Sequence, residues 1–121
     1  MEGGTTVVLG ASERPQRYAH MAVRRLVAHG HPVIAIGRRT GAIGDVPIRT
    51  DWPAGTAVDT VTLYLNAAHQ EEWMQRIMQA GPRRIIFNPG AEHPGLAEKA
   101  TKAGIEVIEG CTLVMLAAGT Y

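Results

Sequence analysis

At 121 residues, 45% hydrophobic and 19% charged, the chain can bury one sound core but not two. A formal net charge of +1 excludes the broad positive field of a general nucleic-acid binder, so any anion must be met by a local cluster. Cys111 is the single cysteine, which excludes an internal disulfide. No secretory pattern precedes the first strand, and the apolar run Leu113 to Ala118 is too short to cross a bilayer, so a cytoplasmic setting without a membrane is expected.

Met1 to Gly4 reads as a short mobile lead-in to one domain over residues 1–121. Thr5 to Leu9 is a β-rich run without alternation, the pattern of a strand covered on both faces. Gly10-Ala11-Ser12 ends it, and a helix is predicted from Arg17 to His29, with Ala19, Val23, Leu26 and Val27 on one face and Gly30 as its stop. Pro32 to Ile36 is a second apolar strand, which leaves into the basic loop Gly37-Arg38-Arg39-Thr40-Gly41. Residues 42–58 are the least regular stretch, with Val46 to Ile48 predicted as an edge strand, where Pro47 interrupts no ladder.

Thr60 to Leu65 is the next strand, ending at Asn66. A helix from Ala67 to Ala80 buries Met74, Ile77 and Met78 and turns Gln70, Glu71, Gln75 and Arg76 to water. Arg84 to Phe87 is a strand that exits into Asn88-Pro89-Gly90. It is followed by a helix from Pro94 to Ala103, a strand from Ile105 to Glu109 and a closing helix from Thr112 to Ala118. Strands alternating with helices in this way specify a three-layer, doubly wound, Rossmann-like α/β fold. Its sheet is mainly parallel, with five or six strands and the first strand central.

Ligands of such sheets bind at the carboxyl ends of the strands. The candidate site is therefore the set of exits Gly10-Ala11-Ser12, Gly37-Arg38-Arg39, Asn66 and Asn88-Pro89-Gly90. A dinucleotide fingerprint would read G-x-G-x-x-G, but here Ser12 stands for the second glycine and Pro15 for the third. Ser12 is either a hydroxyl donor to a phosphate, with Arg14 supplying charge, or simply a turn cap. NAD-binding domains place an acidic residue at the second exit, whereas this chain has Arg38 and Arg39. Forked guanidinium donors suit a phosphorylated ribose. NADP and coenzyme A both carry one, and at this point both stay open.

The runs V-V-L-G-A-S-E-R-P-Q-R-Y, V-I-A-I-G-R-R, D-T-V-T-L-Y-L-N, R-R-I-I-F-N-P-G-A-E and G-I-E-V-I-E-G-C-T-L-V-M-L resemble the stand-alone CoA-binding domain family. That family is similar in turn to the CoA-binding part of succinyl-CoA synthetase α subunits and ADP-forming acyl-CoA synthetases. The resemblance implies that coenzyme A or an acyl-CoA is the ligand. Gly10, Ala11 and Ser12 match the phosphate loop, and Arg14 and Tyr18 the basic and aromatic positions after it. Gly37 and Arg38 fall where the adenosine phosphate end is contacted, and Asn66, Asn88, Pro89 and Gly90 along the pantetheine arm. Family members often carry a proline at the second exit, and Gly37-Arg38-Arg39 departs from that. The phosphorylated histidine of the synthetases lies in a separate domain without a counterpart in these residues, so the resemblance implies a binding site and no reaction. An NADP-binding oxidoreductase and a ligand-free protein-interaction module are the rival expectations.

Cys111 has no basic neighbour in sequence and reads as structural. His20, His29, His31, His69 and His93 show no metal-ligand spacing, and helix-end or loop roles suffice for them. The apolar closing helix is expected to pack on the sheet. A symmetric homodimer is the assembly expected if one forms, and a protein partner is unknown.

Overall fold

Every parallel strand of the sheet ends on one straight row of residues, and that row positions the site. The computed structural model describes residues 4–121; most of the expected lead-in, Met1 to Gly4, lies outside the described residues. The strands are β1 (Thr6–Leu9), β2 (Val33–Ile36), β3 (Gly41–Ile43), β4 (Val46–Arg49), β5 (Thr60–Leu63), β6 (Arg84–Phe87) and β7 (Glu106–Glu109). They form one seven-stranded sheet in the order β3-β4-β2-β1-β5-β6-β7. All neighbours are parallel except β3 and β4. Without β3, this is the Rossmann order with β1 central, as expected. Leu9 pairs with Ile36 and with Leu63, and Leu63 pairs with Phe87. Gly10, Gly37, Tyr64 and Asn88 therefore follow side by side along one rim.

The two faces of β1 show why its sequence lacks alternation. Val7 and Leu9 pack with Val61, Leu63, Ile85 and Phe87 beneath Ile77 of α3 (Met74–Ala80) and Leu96 and Ala100 of α4 (Pro94–Lys102). Val8 packs on the opposite face with Ala35, with Ala19, Val23 and Leu26 of α1 (Tyr18–Ala28), and with Leu116 of α5 (Thr112–Ala118). Both sides of the strand are removed from water, so both must be apolar.

Several expectations need correction. The sheet has seven strands, not five or six. The additional one, β3, begins Gly-Ala, a pair of low β-propensity. It is held by antiparallel pairing to β4 and by the Glu13 carboxylate, which accepts from the Ala42 N–H at 3.0 Å. Val46 to Ile48 is thus one strand in from the edge. The helix expected over Ala67 to Ala80 is a single turn, α2 (Ala67–Gln70), a 3-10 turn at Glu71–Trp73, and then α3. Gln70, expected in water, is fully buried; its amide donates to the carbonyls of Leu65 at 2.8 Å and Ala91 at 2.6 Å. Val27, expected on the buried stripe of α1, is 48% exposed.

Candidate functional site

The rim opens into a cleft of about 650 Å³ lined by the first loop, by Arg38, Arg39 and Thr40 of the second exit, by Tyr64, Leu65 and Asn66 of the third, and by Pro89 and Gly90 of the fourth. A smaller recess of about 300 Å³ shares Gly10, Arg38, Leu65 and His69 with it and adds Gly37 and Trp73. Sites for small molecules have volumes in this range. Residues far apart in sequence meet here because parallel strands must send all their exits to the same end of the sheet.

The first loop is tightly specified. Gly10 has φ 104°, a backbone state that disfavours any side chain. The N–H groups of Gly10 and Ala11 both donate to the Ile36 carbonyl, at 2.8 and 2.9 Å. They are therefore not free for a ligand. The first N–H groups of the loop without an acceptor among the described residues are those of Ser12 and Glu13. The Ser12 Oγ accepts from the Arg14 N–H at 3.2 Å, which is the turn-cap role, while its own proton remains available to donate. The helix does not follow at once. It begins at Tyr18, and the intervening stretch brings Arg14 and Arg17 to the cleft wall.

Arg14, Arg17, Arg38 and Arg39 all line the cleft, and among the described residues none of them has an ion-pair partner. Glu13 stands among them, but its carboxylate is engaged by Ala42. A chain of nearly neutral net charge thus concentrates positive charge at one rim.

Some of the predicted residues are not brought together. Tyr18 is 69% exposed and lines neither cavity. Asn88 is 2% exposed and turned into the sheet. Its Nδ2 donates to the Thr62 hydroxyl at 2.6 Å and the Leu63 carbonyl at 2.8 Å, and its Oδ1 accepts from the Thr112 N–H at 2.8 Å. Asn66 remains on the rim, with its Oδ1 capping α2 by accepting from the His69 N–H at 3.0 Å. Cys111 is half-buried at the start of α5 and lines neither cavity.

Sequence reading missed Arg17, His69, Glu72 and Trp73 as lining residues. Only the position of His69, one turn after a strand-exit asparagine, could have signalled its place. His93 lies outside the cleft. Its Nδ1 accepts from the Leu96 N–H at 2.9 Å, so its Nε2 carries the proton that binds the Glu71 carboxylate. Among the described residues no group of His, Cys, Asp and Glu could hold a metal ion, and no helix is long and apolar enough to cross a membrane.

A model of the CoA binding domain matches residues 4–117, nearly the whole chain. The chain belongs to the CoA binding domain family. Among solved structures, this family member is similar to a crystal structure of an uncharacterized protein, at 43% identity over 100% of both chains and a TM-score of 0.95. It also shares its fold with cell-free ID.343 from Thermus thermophilus, at 20% identity over 99% of this chain and 92% of that one, with a TM-score of 0.86. A third likeness of fold is to a dinucleotide forming acetyl-coenzyme A synthetase 1 of Ca. Korarchaeum cryptofilum, in complex with phosphate and ADP. There the identity is 17% and the TM-score 0.72, over 88% of this chain but only 25% of the synthetase. No curated protein matches this chain.

Proposed function

We propose that the cleft binds coenzyme A or an acyl-CoA and that the protein catalyses no reaction by itself. The observation that carries this reading is the gathering of Arg14, Arg17, Arg38 and Arg39 around a loop whose Ser12 and Glu13 N–H groups have no acceptor among the described residues. Membership of the CoA binding domain family supports it. The pyrophosphate lies against Ser12, Arg14 and Arg17, and Arg38 and Arg39 take the phosphorylated ribose through forked, charge-assisted bonds. Asn66, Pro89 and Gly90 line the path of the uncharged arm. The buried amide of Asn88 shapes the rim without touching the ligand, and Tyr18 stays outside. A lone thiol without a disulfide partner suits a cytoplasmic setting.

Calorimetric titration with CoA, dephospho-CoA and NADPH tests the reading. CoA binds, and dephospho-CoA binds about tenfold or more weakly, because a lost charge-assisted contact is worth ~1.5–3 kcal/mol. No binding of either at high micromolar concentration overturns the proposal. Equal affinity for both removes Arg38 and Arg39 as readers of the 3′-phosphate. The same arginine pair suits the 2′-phosphate of NADP, so binding of NADPH with none of CoA reverses the ranking in favour of an oxidoreductase.

A further inference from the structure

His20 lies in the first turn of α1 and is 4% exposed, yet both of its ring nitrogens are engaged. The Arg24 Nε, one turn further along, donates to His20 Nε2 at 2.9 Å. A guanidinium group only donates, so Nε2 must be the acceptor and the single ring proton sits on Nδ1. Nδ1 then donates to the Ser12 carbonyl oxygen at 2.9 Å. Arg24 itself reaches towards the β3–β4 turn, where a Cβ built on Gly44 would meet its Nη1 at 3.7 Å. The tautomer of a buried histidine is thereby set by the arginine one turn further along the helix.

The carbonyl that His20 holds belongs to the Ser12–Glu13 peptide. No peptide bond among the described residues is cis, and in a trans peptide the C=O and N–H point in opposite directions. Drawing the Ser12 carbonyl towards the buried imidazole therefore sends the Glu13 N–H away from it, and Ser12, Glu13 and Arg14 all line the cleft. That N–H has no acceptor among the described residues. If the same peptide turned over, a carbonyl oxygen would face the arginines and repel an anion. A second anchor of this loop is the Glu13 carboxylate, which accepts from the Ala42 N–H of β3.

We infer that His20 is a positioning residue, which fixes the Ser12–Glu13 peptide so that its N–H, not its C=O, meets a phosphate. The inference rests on the anion-binding reading of the first loop given above. It assigns a role to a histidine whose side chain never reaches the ligand.

The test begins with the imidazole ¹⁵N spectrum of the full chain. It shows Nδ1 protonated and Nε2 bare at His20; the opposite tautomer overturns the inference without any ligand. CoA is then titrated into the wild type, His20→Asn and His20→Leu. The Asn Nδ2 overlays the imidazole Nδ1 and keeps the donor to Ser12, whereas Leu keeps only bulk. His20→Asn retains affinity within about threefold and His20→Leu loses about tenfold, the scale of one hydrogen bond to a charged group. The Glu13 amide proton shifts on CoA binding in the first two proteins and not in the third. Equal affinity in all three proteins, or a silent Glu13 amide in wild type saturated with CoA, overturns the inference. If His20→Leu does not fold, the wild-type tautomer and Glu13 response still decide.

If CoA does not bind at all, the CoA reading fails and inorganic pyrophosphate becomes the probe. A Glu13 amide that responds to pyrophosphate upholds the positioning role, and one that does not overturns it.

Discussion

Gly37 and Ala11 meet backbone to backbone: a Cβ built on Gly37 would lie 2.3 Å from the Ala11 carbonyl oxygen. The constraint is one of space, because the obstacle is main chain and cannot swing away as a flexible side chain would. It lets the second strand exit pass directly against the first loop, which brings Arg38 beside the turn that carries Arg14. Gly37→Ala must therefore push the two loops apart. The expected cost is ~1–3 kcal/mol, as for other overpacked sites, together with weaker CoA binding. Thermal unfolding and calorimetry measure the two effects, and an unchanged Tm would show that the loops have room to spare.

Arg14 and Arg38 are exposed and have no ion-pair partner among the described residues. Arg14→Ala and Arg38→Ala should each leave stability within ~0.5 kcal/mol while weakening CoA binding by about ten- to a hundredfold. The loss at Arg38 should shrink when dephospho-CoA replaces CoA, whereas the loss at Arg14 should not. Both effects should diminish as salt is raised. Identical losses for the two ligands at both positions would refute the division of labour between the loops.

Asn88 joins three buried groups: the Thr62 hydroxyl, the Leu63 carbonyl and the Thr112 N–H, the last of which has no other acceptor among the described residues. Asn88→Ala should destabilise the protein by ~1–3 kcal/mol, the cost of the orphaned Thr112 N–H, since Thr62 retains its bond to Thr112 and the Leu63 carbonyl its bond from the main-chain N–H of residue 88. CoA affinity, measured well below the new Tm, should stay close to that of wild type. A large loss of affinity in a folded variant would return Asn88 to the ligand site.

Asp59 receives two bonds from Arg83, at 2.9 and 3.1 Å, and one from the Thr60 hydroxyl at 2.7 Å. The Arg83 bonds, more than any other cause, hold its carboxyl below the ordinary value of 3.8. A lowered folded-state pKa gives stability that is present above the ordinary value and is lost as pH falls through the folded one. Because Arg83 is 55% exposed, the pair is worth only ~0.5–1 kcal/mol. Arg83→Ala should move the Asp59 carboxyl, followed by NMR, back towards 3.8 and remove that part of the acid sensitivity.

The Tyr64 hydroxyl is buried without a partner at bonding geometry among the described residues, although the hydroxyls of Thr62 and Thr112 stand nearby. Burial pushes its ionisation well above the ordinary 10.0. For this group the raised value means that its contribution is intact below the ordinary pKa. It is lost as pH rises past it, because the unfolded chain ionises first. Tyr64→Phe should unfold less readily than wild type at about pH 11. Near neutral pH it should be about as stable or slightly more so. An alkaline loss of stability equal in both proteins would place the sensitivity elsewhere.

Much of the fold was legible because it depends on local pattern. Thr6–Leu9 is apolar on both faces because both faces are covered, and that alone identifies a central strand. The glycines and prolines after each run marked the strand exits, and parallel topology then required the exits to share one end of the sheet. The corresponding failures came where local pattern is weak or overruled. Gly41–Ile43 lacks β-propensity and becomes a strand through Glu13 and β4. Gln70 belongs to a polar helix face by spacing, yet it is drawn inward by two carbonyls from other loops.

The candidate site divides in the same way. Residue type and position alone identified the first loop and the arginine pair, since glycine turns and clustered guanidinium groups are local features with direct physical consequences. Only tertiary structure decided which way each exit residue turns. Asn66 and Asn88 both follow strands, but Asn66, beyond Tyr64 and Leu65, caps a helix on the rim, while Asn88, directly after Phe87, is consumed beneath it. The Gly10 and Ala11 N–H groups are spent on Ile36, and Arg17 and His69 face the cleft. Apart from the Asn66 cap, whose partner His69 is close in sequence, those outcomes depend on partners that lie many residues away, and a side chain's direction at a rim follows the nearest unsatisfied donor or acceptor.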